Sequence, residues 1–248
     1  RTLTFDGKTS IVIPAHATVL SDPVDLEIPA LADLSVSLYL PKSVAATTVH
    51  ILAQQTSYVS RPGNFTAAAH FPVARHIDMW PFLSDVAVAT TPRTFAIVAF
   101  GDSMVDGDGS TPNANQRWPD LLATRLQRAG KNVAVLNEGM IGNRLLRGSP
   151  GGQFGAALGE AGVERFSRDV LEKANAKIVI VRLGGNDLGF LHTLAPAGES
   201  VDAKDLIAGF RRLIASAHQH GISIIGTTIA PFDNADVIPG YSSPAKDA

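Results

Sequence analysis

Three short polar stretches carry the residue types from which a reaction centre is most readily built. Gly101-Asp102-Ser103, Asn137-Glu138-Gly139-Met140-Ile141-Gly142-Asn143-Arg144 and Gly184-Gly185-Asn186-Asp187 each follow an apolar run. A serine at the end of a strand presents an exposed hydroxyl, and the backbone N–H groups around it can point at an oxyanion. Gly139 and Gly142, three apart, let the backbone approach a ligand closely and offer an N–H. The Asn186 carboxamide is a donor of the kind worth roughly 3–4 kcal/mol to a developing oxyanion when well aimed. Each stretch also has a plainer reading. Ser103 can cap an ordinary turn, the glycines can form one, and Asn186-Asp187 can be an Asx turn with Asp187 as a structural acceptor.

Other chemistries are excluded by residue type. The chain has no cysteine, which removes disulfides, thiolate nucleophiles and Cys-ligated metals. Neither a dinucleotide fingerprint nor a phosphate loop occurs. Lys and Arg total 21 against 23 Asp and Glu, a formal charge of −2 with no basic run, so a nucleic-acid partner is not expected. His70 and His76, six apart beside Asp78, do not have a zinc spacing, and neither metal nor cofactor is expected. The apolar stretches at Phe95–Phe100 and Ile178–Leu183 are far shorter than the ~20 residues of a membrane span, so no transmembrane segment is expected.

The elements around the three stretches alternate in period. Phe95–Phe100 reads as a strand buried on both faces and ends at Gly101. A helix follows from Trp118-Pro119, with Leu121, Leu122, Leu126 and Ala129 on one side and Gly130 as its stop. Val133–Leu136 reads as a strand, Val163–Ala174 as a helix and Lys177–Leu183 as a strand. The longest helix runs from Ala203 to His220 between its cap Asp202 and its stop Gly221, and Ile222–Ile229 is a last strand. Buried strands alternating with amphipathic helices predict an α/β fold, a parallel sheet with helices on both faces. Ligands of such sheets bind beyond the C-terminal strand ends, where all three polar stretches lie.

The first ninety residues have another rhythm. Leu34-Ser35-Val36-Ser37-Leu38-Tyr39-Leu40 alternates apolar and polar side chains as a half-buried strand does. Ile11–Ile13, Val24–Ile28, Val49–Leu52 and Val86–Ala89 are weaker strand candidates. The 248 residues, 45% hydrophobic and 18% charged, suffice for one large core and a smaller companion. The expected division is a β-rich accessory domain over 1–93 and an α/β domain over 94–248.

Order and spacing of the three stretches resemble the first, second and third blocks of the SGNH (GDSL-type) hydrolase family, over about residues 94–240. That resemblance implies a flavodoxin-like sheet and an esterase or lipase acting on lipid, carbohydrate acetyl or small esters. It implies Ser103 as nucleophile, with the Ser103 N–H, the Gly142 N–H and the Asn186 side chain as the oxyanion hole. Met104 stands where the family name has Leu. Asp102 and Asp187 are expected to support the site, and Arg144 and the stretch Gly148–Gly162 to wall a substrate pocket. Secreted or periplasmic localisation is favoured by the same resemblance.

The family's general base comes from an Asp-x-x-His near the C-terminus, and no such motif is present before Ala248. His218 and His220 end the long helix, on the wrong face of the sheet. His192 lacks an orienting partner, and His16, His50, His70 and His76 fall in the β-rich half. The Asp and His are therefore expected beyond Ala248, in a further C-terminal stretch or second chain. The alternative is a non-catalytic glycan- or partner-binding relative presenting Tyr58, Phe65, Phe71 and Trp80.

Overall fold

The computed structural model describes every residue except 16, 92, 232–237, 243–245, 247 and 248, so His16 lies outside the described residues. Four short strands precede the main sheet: β1 (Val49–His50), β2 (Ser57–Ser60), β3 (Val73–Ile77) and β4 (Trp80–Pro81). β1 pairs with β4 antiparallel, and β2 pairs with β3. The main sheet is formed by β5 (Phe95–Gly101), β6 (Val133–Gly139), β7 (Ala176–Arg182) and β8 (Ser223–Gly226), in the order β6-β5-β7-β8 and parallel throughout. The α-helices with named bounds among the described residues are α1 (Ser103–Asp106), α2 (Trp118–Arg128), α3 (Gly162–Phe166), α4 (Gly185–Gly189) and α5 (Ala203–Gln219).

β5 is central because its six residues from Ala96 to Gly101 are all buried, which only an interior strand with both faces covered allows. Its register matters for function. Gly101 is level with Gly139 on one side and with Arg182 on the other, so three strand ends finish on one line. The strand order reverses at β5, and the crevice beyond such a switch point is where ligands bind in these sheets.

Helix ends follow local chemistry. The Asp202 carboxylate accepts the N–H groups of Lys204 (2.8 Å) and Asp205 (2.9 Å), and the Asp205 side chain returns a bond to Asp202 N–H, a capping box. Leu206, Gly209, Leu213 and Ala217 then form its buried stripe. The side chains of Leu206, Leu213 and Ala217 meet Val98, Phe100, Val179 and Val181 of the sheet in one apolar core. The helix expected over Val163–Ala174 forms as α3 and continues through a wider π-type turn, Ser167–Leu171. β8 is shorter than expected, ending at Gly226.

The region before the main sheet is of β type, but its strands lie elsewhere than the alternation at 34–40 suggested. That stretch forms no strand, and Leu34 and Leu38 are 43% and 55% exposed. Ile11–Ile13, Val24–Ile28 and Val86–Ala89 likewise lie outside strands. Alternation gives a segment a face to bury. A ladder also needs a neighbouring backbone to satisfy its N–H and C=O groups.

The chain divides into two compact units. One comprises Arg1–Ala45 with Tyr58–Arg75, the other Ala46–Ser57 with His76–Ala248. The short stretch Ala46–Ser57 joins the sheet's unit through polar contacts with α1 and the loop after it. His50 meets Asp106, Gln54 Nε2 donates to the Gly107 carbonyl (3.2 Å), and Thr56 N–H donates to Asn113 Oδ1 (2.7 Å).

Candidate active site

The three strand ends are tied to one another by backbone bonds. Met140 N–H donates to the Gly101 carbonyl (3.0 Å), and Asp102 N–H donates to the Arg182 carbonyl (3.2 Å). Ser103 opens α1, capped by Asp102, whose Oδ1 accepts Met104 N–H at 3.0 Å. Arg182, the last residue of β7, places Nη1 at 2.6 Å from both oxygens of Asp102. Burial pushes the Asp102 carboxyl above its usual range, and the Arg182 guanidinium opposes that shift. Asp102 thus ties α1 to the end of β7.

After β6 the chain turns at residues 140–143, closed by Asn143 N–H to the Met140 carbonyl (3.0 Å). Gly142 occupies the left-handed region at φ +68°, and a Cβ there would lie 2.8 Å from the Leu158 methyls. The left-handed backbone is what favours glycine here. The preceding N–H, of Ile141, donates to Asp106 Oδ2 at 2.8 Å. The other Asp106 oxygen takes a bond of 2.6 Å from His50 Nε2, so the imidazole is the donor. Asp106 is fully buried, and the His50 ring stands edge-on to Trp80 with centroids 5.7 Å apart. His50 therefore serves the α/β unit.

Asn186 and Asp187, in α4, reach back to the loop after β6. Asn186 Nδ2 donates to the Asn143 carbonyl at 3.0 Å, and its Oδ1 accepts the Tyr241 hydroxyl at 2.8 Å. Asp187 accepts the N–H groups of Leu145 (2.6 Å) and Leu146 (2.9 Å). Burial raises its pKa, and those two N–H groups oppose the shift. Arg144 is buried and donates to Glu199 (2.6 Å) and the Gly148 carbonyl (3.1 Å).

Beneath these loops lies Arg165 of α3, for which the sequence pattern gives no role beyond an ordinary helix position. Arg165 donates to the Gly101 carbonyl (2.9 Å), the Glu138 carbonyl (3.1 Å), Asn143 Oδ1 (3.0 Å) and Asp169 Oδ2 (3.0 Å). Its guanidinium also lies 4.0 Å from the Phe100 ring centroid. Burial lowers its pKa, and Asp169 opposes this. Helical spacing places Arg165 away from the stripe of Val163, Phe166, Val170 and Ala174, so nothing in the sequence marks it.

Among the described residues, no histidine is hydrogen-bonded to Ser103. His192, His218 and His220 are exposed, and the last two lie on the strands' N-terminal side. Nor do three His, Asp or Glu side chains gather as a metal site would require, among the described residues.

Glu138, at the end of β6, gives the site region a pH signature. Its carboxylate lies 2.8 Å from Lys173 Nζ, yet burial raises its pKa from 4.5 to about 7. Between those values the folded chain keeps a proton that the unfolded chain has lost. Stability therefore falls as pH rises through that window and levels off above it. Glu138→Gln should remove this fall, seen as a flatter Tm profile from about pH 5 to about pH 8. Equal slopes in the two proteins would contradict the assignment.

A parallel sheet in this order, its strand ends gathering a serine, a glycine turn and an asparagine, is an SGNH-type α/β architecture. The family model described as the GDSL-like lipase/acylhydrolase family matches residues 99–247, and the chain belongs to that family. Among solved structures it is similar to AlinE4, an SGNH-hydrolase family esterase, with 23% identity over 61% of this chain and 69% of that one (TM-score 0.41). It is also similar to the acetyl xylan esterase AlAXEase, with 21% identity over 56% and 60% of the two chains (TM-score 0.40). A third is the lipase/acylhydrolase from Enterococcus faecalis, with 20% identity over 60% and 63% (TM-score 0.38). The match thus spans 60–69% of the length of these three proteins. No curated protein matches the chain. Among the described residues no helix is long and apolar enough to cross a membrane. Family membership supports serine-type ester hydrolysis as the general chemistry.

Proposed function

We propose that the protein hydrolyses carboxylic esters through an acyl-serine intermediate on Ser103. The observation that carries this reading is the common level of Gly101, Gly139 and Arg182, the ends of the three strands that precede Ser103, the Gly142 turn and Asn186. Ser103 Oγ attacks the ester carbonyl carbon, and the alcohol leaves as the tetrahedral intermediate collapses. Water then attacks the acyl-serine and releases the acid. The Ser103 N–H, the Gly142 N–H and the second Nδ2 proton of Asn186 receive the oxyanion in both steps. Asp102 and Asp187 hold the elements that carry these donors.

The Ser103 proton passes to an imidazole, for which the family's Asp-x-x-His beyond Ala248 is the proposed source. The substrate is a lipid, a carbohydrate acetyl ester or a small alkyl or aryl ester, and the setting is secreted or periplasmic. The test is to trap the intermediate. Acid quenching during turnover of 4-nitrophenyl acetate by the full-length protein should leave an acetyl group on the peptide containing Ser103. Turnover with no acyl group on that peptide would overturn the proposal.

A further inference from the structure

Asn186 can serve an oxyanion only if its carboxamide is held with the NH2 end in one place. One end is set by the backbone. The Asn143 carbonyl can only accept, so the atom 3.0 Å from it must be Nδ2. The opposite end, Oδ1, is buried with Asn186 and takes the Tyr241 hydroxyl at 2.8 Å. Because the amide is planar, bonds at both ends determine its plane and hence the direction of the second Nδ2 proton.

Tyr241 is itself firmly seated. Its ring packs on α4, where a Cβ added to Gly189 would lie 2.2 Å from the ring. It also packs edge-on to Phe190, with centroids 6.2 Å apart, in a cluster with Leu158. Phenylalanine would satisfy that packing equally well. The hydroxyl is what packing does not explain, since a buried phenol needs a partner and here finds the amide. Burial, followed by the nearby Asp102 carboxylate, pushes the phenol pKa to about 12, so the group remains an O–H donor in ordinary buffers.

We infer that Tyr241 is a positioning residue for the oxyanion donor Asn186: it holds the carboxamide from the Oδ1 side and acts on the reaction only through it. This rests on the ester-hydrolase reading of Asn186. The residue comes from the Pro239-Gly240-Tyr241 turn, 55 positions after its partner, and nothing in the local sequence marks it.

The test compares Tyr241→Phe, Asn186→Ala and the double variant in the full-length protein with 4-nitrophenyl acetate. Asn186→Ala should lower kcat/KM by about 10²–10³-fold. Tyr241→Phe should lower kcat about tenfold with KM little changed, the size expected for one hydrogen bond. The double variant should be no worse than Asn186→Ala, since the carboxamide that the hydroxyl positions is then absent. A readout independent of turnover is the Asn186 side-chain NH2 pair in ¹H–¹⁵N spectra, which should shift or broaden in Tyr241→Phe. If Asn186→Ala costs activity but Tyr241→Phe changes neither kinetics nor that pair, the inference falls and the hydrolase reading stands. Additive losses in the double variant would also overturn it. An unchanged rate in Asn186→Ala would instead remove the oxyanion role of Asn186, and the inference with it.

Discussion

Replacing Ser103 with alanine is expected to abolish measurable ester turnover while leaving the fold intact. Under the proposed reaction, the substitution removes the oxygen that forms the acyl bond. What survives is catalysis by the oxyanion donors and binding alone, about 10³–10⁴ over the uncatalysed rate in well-understood serine hydrolases. The fold should not notice. Ser103 is half-buried, its side chain makes no hydrogen bond among the described residues, and alanine favours a helix. α1 is held instead by the Asp102 cap and by the buried Val105 and Asp106. The check is a rate measurement beside circular dichroism spectra of both proteins. Activity within about threefold of wild type, with unchanged spectra, would remove Ser103 from the chemistry.

The second large effect is structural in origin. Arg165→Met keeps much of the side chain's bulk but removes the fork that joins Gly101, Glu138, Asn143 and Asp169. The Gly101 carbonyl still receives Met140 N–H, and Asp169 still receives the Arg168 guanidinium at 2.7 Å. The Glu138 carbonyl and Asn143 Oδ1 lose their Arg165 donor. Breaking one side of a buried pair typically costs about 3–5 kcal/mol, and urea unfolding should show a loss of that order. Arg165→Lys should recover little, because an ammonium supplies charge without the planar fork. Activity should fall beyond what the unfolded fraction explains, since the strand ends that carry Ser103 and Gly142 are the ones joined. A loss below about 1 kcal/mol for Arg165→Met would show that the network is dispensable.

What could be read in the sequence is what neighbours along the chain decide. The apolar run at β5, the proline start of α2 and the Asp202 cap of α5 each act within a few residues, and each formed where its pattern lay. The three polar stretches fall at strand ends for the same local reason. The stretch at 34–40 marks the limit of such reading, because alternation supplies a face but no second backbone to pair with. The donors and clamps of the site belong to the tertiary structure. Asn186 depends on atoms 43 and 55 positions away, His50 on a carboxylate 56 positions away, and Arg165 on a carbonyl 64 positions away. A buried amide, imidazole or guanidinium must find partners wherever folding has brought an acceptor or donor within reach. That requirement has no period in the sequence, and only the level register of β5, β6 and β7 decides which groups meet.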